Sequence, residues 1–145
     1  MVGLVVVSHS AKLAEGVVEL VLSLQPDLKI RAAGGTDDGR LGTSAERILE
    51  AILAVDDVDG VLILVDLGSA VMSAEVALEW LPDDRRDRVV ISAAPLVEGA
   101  ILAATSAAPG LSAIDLAGIA EAAREFPKNV GPLPAGPGEE VRQIS

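Results

Sequence analysis

Val61-Leu62-Ile63-Leu64-Val65 runs directly into Asp66-Leu67-Gly68-Ser69-Ala70. Five aliphatic residues with no polar interruption describe a strand covered on both faces, as in the middle of a parallel sheet. Beyond the turn, Ser69–Leu81 changes to a helical period that keeps Glu75 and Glu79 outside. Val2–Val7 repeats the pattern and is followed by Ser8-His9-Ser10 and then Ala11–Leu24, where Lys12, Glu15, Glu19 and Ser23 form one narrow polar stripe. Leu28–Ala32 alternates Leu28, Ile30 and Ala32 with Lys29 and Arg31, which suits an edge strand, and Val89-Val90-Ile91 opens a fourth run.

Helix signals fill the intervals. Thr43-Ser44-Ala45-Glu46 reads as a capping box, followed by Ala45, Ile48, Leu49 and Ile52 on one face. A fourth helix is expected around Leu96–Ala108 after the Pro95 turn. Ser112-Ala113-Ile114-Asp115 opens a last one that must end before Pro127. Strand and helix alternating four times predict an α/β domain: a doubly wound, mainly parallel four-stranded sheet, order 2-1-3-4, flanked by helices. That domain is expected over 1–126. Residues 127–145 contain seven Pro or Gly in nineteen positions and are expected to be a linker or disordered tail.

Composition narrows the function. Eleven Lys and Arg against 22 Asp and Glu give a net charge of −11. A surface of that sign repels phosphate backbones and anionic lipid, so neither nucleic acid nor membrane is an expected partner. Cysteine is absent, which removes disulfides, thiolate catalysis and Cys-based zinc sites. Met1–Val7 has no basic residue before it and is too short for a secretory signal, so the expected location is the cytoplasm.

Ligands of open parallel sheets gather at the carboxyl ends of strands, where the winding changes direction. His9, the only histidine, stands at such a place after the first strand. Imidazole offers a neutral nucleophilic nitrogen near pH 7. If strands one and three are neighbours, Asp66 lies beside it, and a carboxylate on one ring nitrogen fixes the tautomer and supports the ring once cationic. Gly68 permits close approach to a ligand, while Ser10 and Ser69 begin helices whose N–H groups suit an anion. Gly34-Gly35-Thr36-Asp37-Asp38-Gly39-Arg40-Leu41-Gly42-Thr43 could wrap an oxyanion, although it lacks the P-loop lysine. A mobile surface loop is an equal alternative there. Glu98 is either functional or an ordinary first-turn acid. Asp56-Asp57 and Asp83-Asp84 read as solvated loop charges.

Leu4-Val5-Val6-Val7-Ser8-His9-Ser10, Gly42-Thr43, Asp66-Leu67-Gly68-Ser69-Ala70 and Ala94-Pro95-Leu96-Val97-Glu98-Gly99 together resemble the phosphotransferase subunits of phosphoenolpyruvate-dependent dihydroxyacetone kinases. The first domain of those subunits is of the mannose-type EIIA family of the bacterial sugar phosphotransferase system. The resemblance covers nearly all of 1–126. It implies a homodimer in which His9 is transiently phosphorylated by the phosphocarrier HPr and delivers the group to ADP held on the kinase's nucleotide-binding subunit. It further implies that Nε2 carries the phosphoryl group and that Asp66 orients Nδ1; Ser10, Gly68, Ser69, Gly42 and Thr43 are the expected ligands of the phosphoryl oxygens. No metal or cofactor is implied. Some members continue into HPr-like and enzyme I-like domains. A sugar-specific mannose-type EIIA is the nearest alternative. A chelatase-like enzyme would use His9 as a metal ligand and ordinarily needs a second histidine, which this sequence lacks.

Overall fold

The computed structural model describes residues 1–134, and its strands appear where aliphatic runs are densest. They are β1 (Gly3–Ser8), β2 (Ile30–Gly34), β3 (Val61–Val65) and β4 (Val89–Ser92). The sheet order is β2-β1-β3-β4, and all three pairings are parallel. Helices α1 (Ala11–Leu24), α2 (Ala45–Ala54), α3 (Gly68–Glu79), α4 (Asp83–Arg86), α5 (Leu96–Ser106) and α6 (Ala113–Glu121) connect and flank the strands, and a 3₁₀ turn (Ala122–Glu125) follows. The expected doubly wound α/β fold and strand order are thus those of the protein.

Alternation along the strands builds two cores. Leu4, Val6, Leu62 and Leu64 face α1, α5 and α6, whereas Val5, Val7, Ile63 and Val65 face α2 and α3. Leu4, Leu62, Ile63 and Leu64 are fully buried. Burying each is worth ~1.5–3 kcal/mol, so the sheet centre anchors whatever stands at its rim. The first helix, apolar on most of its surface, buries Ala14, Val17 and Val21 and leaves Leu13, Leu20 and Leu24 exposed.

Several local expectations shift. The edge strand runs Ile30–Gly34 rather than Leu28–Ala32, because Ala33 and Gly34 continue the register opposite Val7 and Ser8. The cap of α2 is Ser44, not Thr43: Ser44 Oγ accepts the Arg47 N–H at 3.2 Å and donates to Asp37 at 2.9 Å. Thr43 is drawn instead to Ser73 on α3, the two hydroxyls 2.6 Å apart. Asp83 and Asp84, expected in a loop, open the single turn of α4 and stay exposed. Arg86 secures that turn by donating to the carbonyls of Leu78 and Leu81 at 3.0 and 2.8 Å. Asp56 and Asp57 are not free solvated charges. Asp57 Oδ2 lies 2.6 Å from Lys29 Nζ, and Asp56 meets Arg85 and Arg88 at 3.6 and 3.4 Å.

The last helix does end before Pro127. Residues 127–134 are exposed and without regular structure, and the remainder of the expected tail, 135–145, lies outside the described residues. Among the described residues, no helix is long and apolar enough to cross a membrane.

Candidate functional site

The register of the two central strands pairs Val7 with Val65, so the residues that follow each strand emerge side by side at the carboxyl edge. The amide of Asp66 donates to the Val7 carbonyl at 3.1 Å and carries the pairing one residue further. Fifty-seven residues apart in the chain, His9 Nδ1 and Asp66 Oδ1 are thereby 3.0 Å apart. Their side chains are 29% and 12% exposed, which leaves the ring reachable while its carboxylate is largely enclosed.

Four donors converge on Asp66. Oδ1 accepts from the His9 ring and from the Leu67 amide at 2.8 Å. Oδ2 accepts from the Ser8 hydroxyl and the His9 amide, both at 3.0 Å. Partial burial pushes the carboxyl upward, but the His9 amide, the His9 ring, the Ser8 hydroxyl and the Leu67 amide together outweigh it and hold the pKa below the ordinary value. Asp66 is therefore a carboxylate that only accepts, and Nδ1 must be the protonated nitrogen of the bond. In the neutral ring this leaves the Nε2 lone pair bare. Ser69 Oγ stands 2.8 Å from Nε2, so the serine hydroxyl donates to it.

Ser69 is the second residue of α3, directly after Gly68. Amides in the first turn of a helix have no intrahelical acceptor. Among the described residues none takes the amide of Gly68 or Ser69. The N-terminus of α3, its hydroxyl and the bare imidazole nitrogen thus face one small volume. A helix start there favours negative charge.

The other expected phosphoryl ligands are placed differently. The Ser10 amide donates to Ser8 Oγ at 3.0 Å, and the Ser10 hydroxyl caps its own helix through the Leu13 amide at 3.2 Å. The Gly42 amide donates to the His9 carbonyl at 2.8 Å. Gly42 adopts φ 139°, a conformation side chains rarely take, so that the loop can close onto β1. The Gly34–Gly42 loop is braced from within: Thr36 bonds Asp38, and Arg40 reaches Asp38 at 2.8 Å. Gly34 lets that loop leave the sheet against α1, since a Cβ there would sit 2.6 Å from the Ser10 carbonyl oxygen. Loop and first helix therefore build the frame of His9, with the Ser10 and Gly42 amides already engaged. Glu98 pairs with Lys128 at 3.4 Å on the surface.

Two hydroxyls at this edge are given no role by the sequence, although Ser8 lies within the Ser8-His9-Ser10 motif. Ser73 partners Thr43, and Ser8 is fully buried under Asp66. Ser8 does carry a sequence signal, a polar residue closing an otherwise aliphatic strand. Beyond Asp66, an open groove of about 460 Å³ runs between β3, β4 and α3, lined by Val65, Leu67, Val71, Ile91, Ala93 and Asp66 itself.

This geometry coincides with family membership. The family model described as the PTS system fructose IIA component (EIIA-man) matches residues 3–114. The phosphoryl donor subunit DhaM of the phosphoenolpyruvate-dependent dihydroxyacetone kinase of Escherichia coli K12 is 48% identical over 114 residues, 76% of this chain and 24% of the relative. DhaM of dihydroxyacetone kinase 2 from Listeria innocua is 44% identical over 105 residues, 72% of this chain and 84% of the relative. A crystal structure of a protein of unknown function superposes with a TM-score of 0.73 at 34% identity, covering 83% of this chain and 94% of that one. The chain spans about a quarter of the length of the E. coli relative and most of the Listeria one. It belongs to the EIIA-man family and, within it, to the DhaM group.

Proposed function

We propose that this protein is a phosphoryl relay whose His9 Nε2 takes a phosphoryl group from an HPr-type phosphocarrier and passes it to ADP bound on a dihydroxyacetone kinase subunit. The observation that carries the proposal is the polarised ring: Nδ1–H on the Asp66 carboxylate, Nε2 unprotonated and accepting from Ser69 at the start of α3. In the first step the P–N bond of the donor's phosphohistidine breaks as a P–Nε2 bond forms. The donor ring leaves neutral, and His9 becomes cationic while keeping its Nδ1 proton on Asp66. In the second step an oxygen of the ADP β-phosphate attacks, the P–Nε2 bond breaks, and His9 returns to neutral. Asp66 stabilises the cationic ring in both steps, and Ser69 with the amides of Gly68 and Ser69 receives phosphoryl oxygens. The Ser69 hydroxyl reaches them by turning from Nε2 to the incoming group. No step calls for a metal or cofactor on this chain.

The test uses labelled phosphoenolpyruvate, enzyme I and HPr. The parent should take up label and His9→Gln none. Undiminished uptake by that variant would end the proposal. Labelled protein is then offered to the ADP-loaded kinase subunit and to a mannose-type EIIB. Transfer to the former supports the kinase role, and transfer only to the latter makes the protein a sugar-specific EIIA.

A homodimer is part of the same proposal. Strand β4 pairs with β3 alone among the described strands, leaving one edge open. Beside that edge α3 exposes Met72, Val76 and Trp80 at helical spacing, 71%, 40% and 51% accessible. An apolar stripe next to an unpaired strand is a surface that soluble proteins cover. Sedimentation should show a dimer that Met72→Glu combined with Trp80→Ser converts to monomer. A monomeric parent at micromolar concentration would refute this arrangement.

A further inference from the structure

Asp66 has one partner that the proposed transfer does not use. Ser8, the last residue of β1, is wholly buried, and with Ser92 it makes up the buried polar side chains among the described residues. Its hydroxyl sits between two groups, the Ser10 amide at 3.0 Å and Asp66 Oδ2 at 3.0 Å. An amide N–H can only donate, so the serine oxygen must give it a lone pair. The single hydroxyl proton is left for the carboxylate, and the direction of the bond is settled. We infer that Ser8 is a positioning residue: it ties the first turn of α1 to the Asp66 carboxylate, and through that carboxylate holds His9 in the Nδ1–H tautomer.

The geometry leaves little freedom for another arrangement. A carboxylate has about four lone-pair sites, and Asp66 receives four donors, two on each oxygen. With all four in place the plane of the group is locked, and Oδ1 must meet the ring. Without the Ser8 hydroxyl, Oδ2 keeps only the His9 amide, and the Ser10 amide behind it loses its partner. The carboxylate is then free to rotate toward that amide or toward water, and Oδ1 no longer holds Nδ1. Ser92, the other buried hydroxyl, only accepts from the Ala94 amide in a turn at 3.2 Å.

His9 is the only histidine, so its ring nitrogens give a single pair of resonances in a ¹⁵N-histidine-labelled sample. The parent should show Nδ1 protonated and Nε2 bare when the ring is neutral. Ser8→Ala should shift the populations toward the Nε2–H tautomer. Its kcat for phosphoryl uptake from phosphorylated HPr should fall on the order of tenfold, with KM for the donor unchanged. The kinetic arm rests on the relay proposed above and the spectroscopic arm does not: a parent that takes no label on His9 defeats the relay, while the resonances still decide Ser8. The same substitution in an Asp66→Ala background completes the test. If Ser8 acts through Asp66, adding Ser8→Ala there should change the rate less than twofold. An unaltered tautomer in Ser8→Ala, or an undiminished rate effect in the Asp66→Ala background, overturns the inference.

Discussion

Each end of the sheet carries a much-bonded aspartate, and the two are held in opposite ways. At the amino end, Asp57 accepts from the Asp59 amide at 3.0 Å, from Lys29 at 2.6 Å and from the chain's own amino terminus at 3.5 Å. Two of those three partners are cationic groups. At the carboxyl end, Asp66 is surrounded by two amides, a hydroxyl and an imidazole, with no fixed cation among its partners. The first arrangement is finished and has nothing left to do. In the proposed relay, the second holds a negative charge ready for a positive one that comes and goes with the state of His9. A structural acid is neutralised where it stands, whereas a working acid is solvated by neutral donors until its partner becomes charged.

The most demanding way to break this contrast is to exchange the effects. Asp66→Ala should slow phosphoryl uptake from phosphorylated HPr roughly a hundredfold. Its far-UV circular dichroism should stay that of the parent, since water can reach the rim where Asp66 stands. Asp57→Asn should leave uptake unchanged within a factor of two. Parental uptake by Asp66→Ala would reduce Asp66 to a turn residue and erase the distinction.

How much of this was legible in the chain follows from range. Strands β1 and β3 are aliphatic runs long enough to declare a buried parallel sheet, and once they are neighbours His9 must meet Asp66. No contact beyond the sheet pattern was needed for that inference. The amino-end cluster was misread as solvated because Lys29, Asp57 and Arg88 come from three separate segments, and nothing local in Asp56-Asp57 announces the cations brought to it. Thr43 and Ser44 are both favourable helix caps in isolation. Ser73 on α3 and Asp37 in the loop decide between them, and both are tertiary partners. The α4 turn is secured by an arginine donating backward to two carbonyls, which no helical period records. Ser8 was visible as a residue but not as a partner, because its role depends on a carboxylate fifty-eight positions away.

Acid separates the two ends by mechanism. Asp57 is held at about 2, chiefly by the Asp59 amide and then by the Lys29 ammonium. Asp66 is also held below its ordinary value, without a fixed cation. A carboxyl whose folded pKa is depressed stabilises the fold above its unfolded value of ~3.9, and that stabilisation is lost as pH falls through the folded value. Asp57 therefore makes the urea midpoint fall between pH ~4 and ~2, and Asp66 adds to the fall below pH ~4. Salt screens the part owed to Lys29 and to the amino terminus, and it hardly touches bonds to neutral donors. Denaturation series at low and high NaCl should show a shallower acid limb for Asp57→Asn than for the parent, with the difference shrinking at high salt. A difference that is the same at both salt concentrations would mean that the Lys29 and amino-terminal charges contribute nothing and that the amide alone holds Asp57.

The finest discrimination is Lys29→Met. Its ammonium bonds both Asp57 Oδ2 at 2.6 Å and the Asp56 carbonyl at 3.2 Å, yet the side chain is 45% exposed. Exposed pairs are worth ~0.2–1 kcal/mol, because water competes for each charge and a long side chain must be ordered. Methionine keeps most of the aliphatic stem, so the loss should be confined to the charge. The expected result is a fall of less than about 1 kcal/mol at low salt that disappears at high salt, with phosphoryl uptake untouched. A larger, salt-independent loss would show that Lys29 supports the start of β2 by packing or through the Asp56 carbonyl, and the amino end would then owe its order to contacts as neutral as those around Asp66.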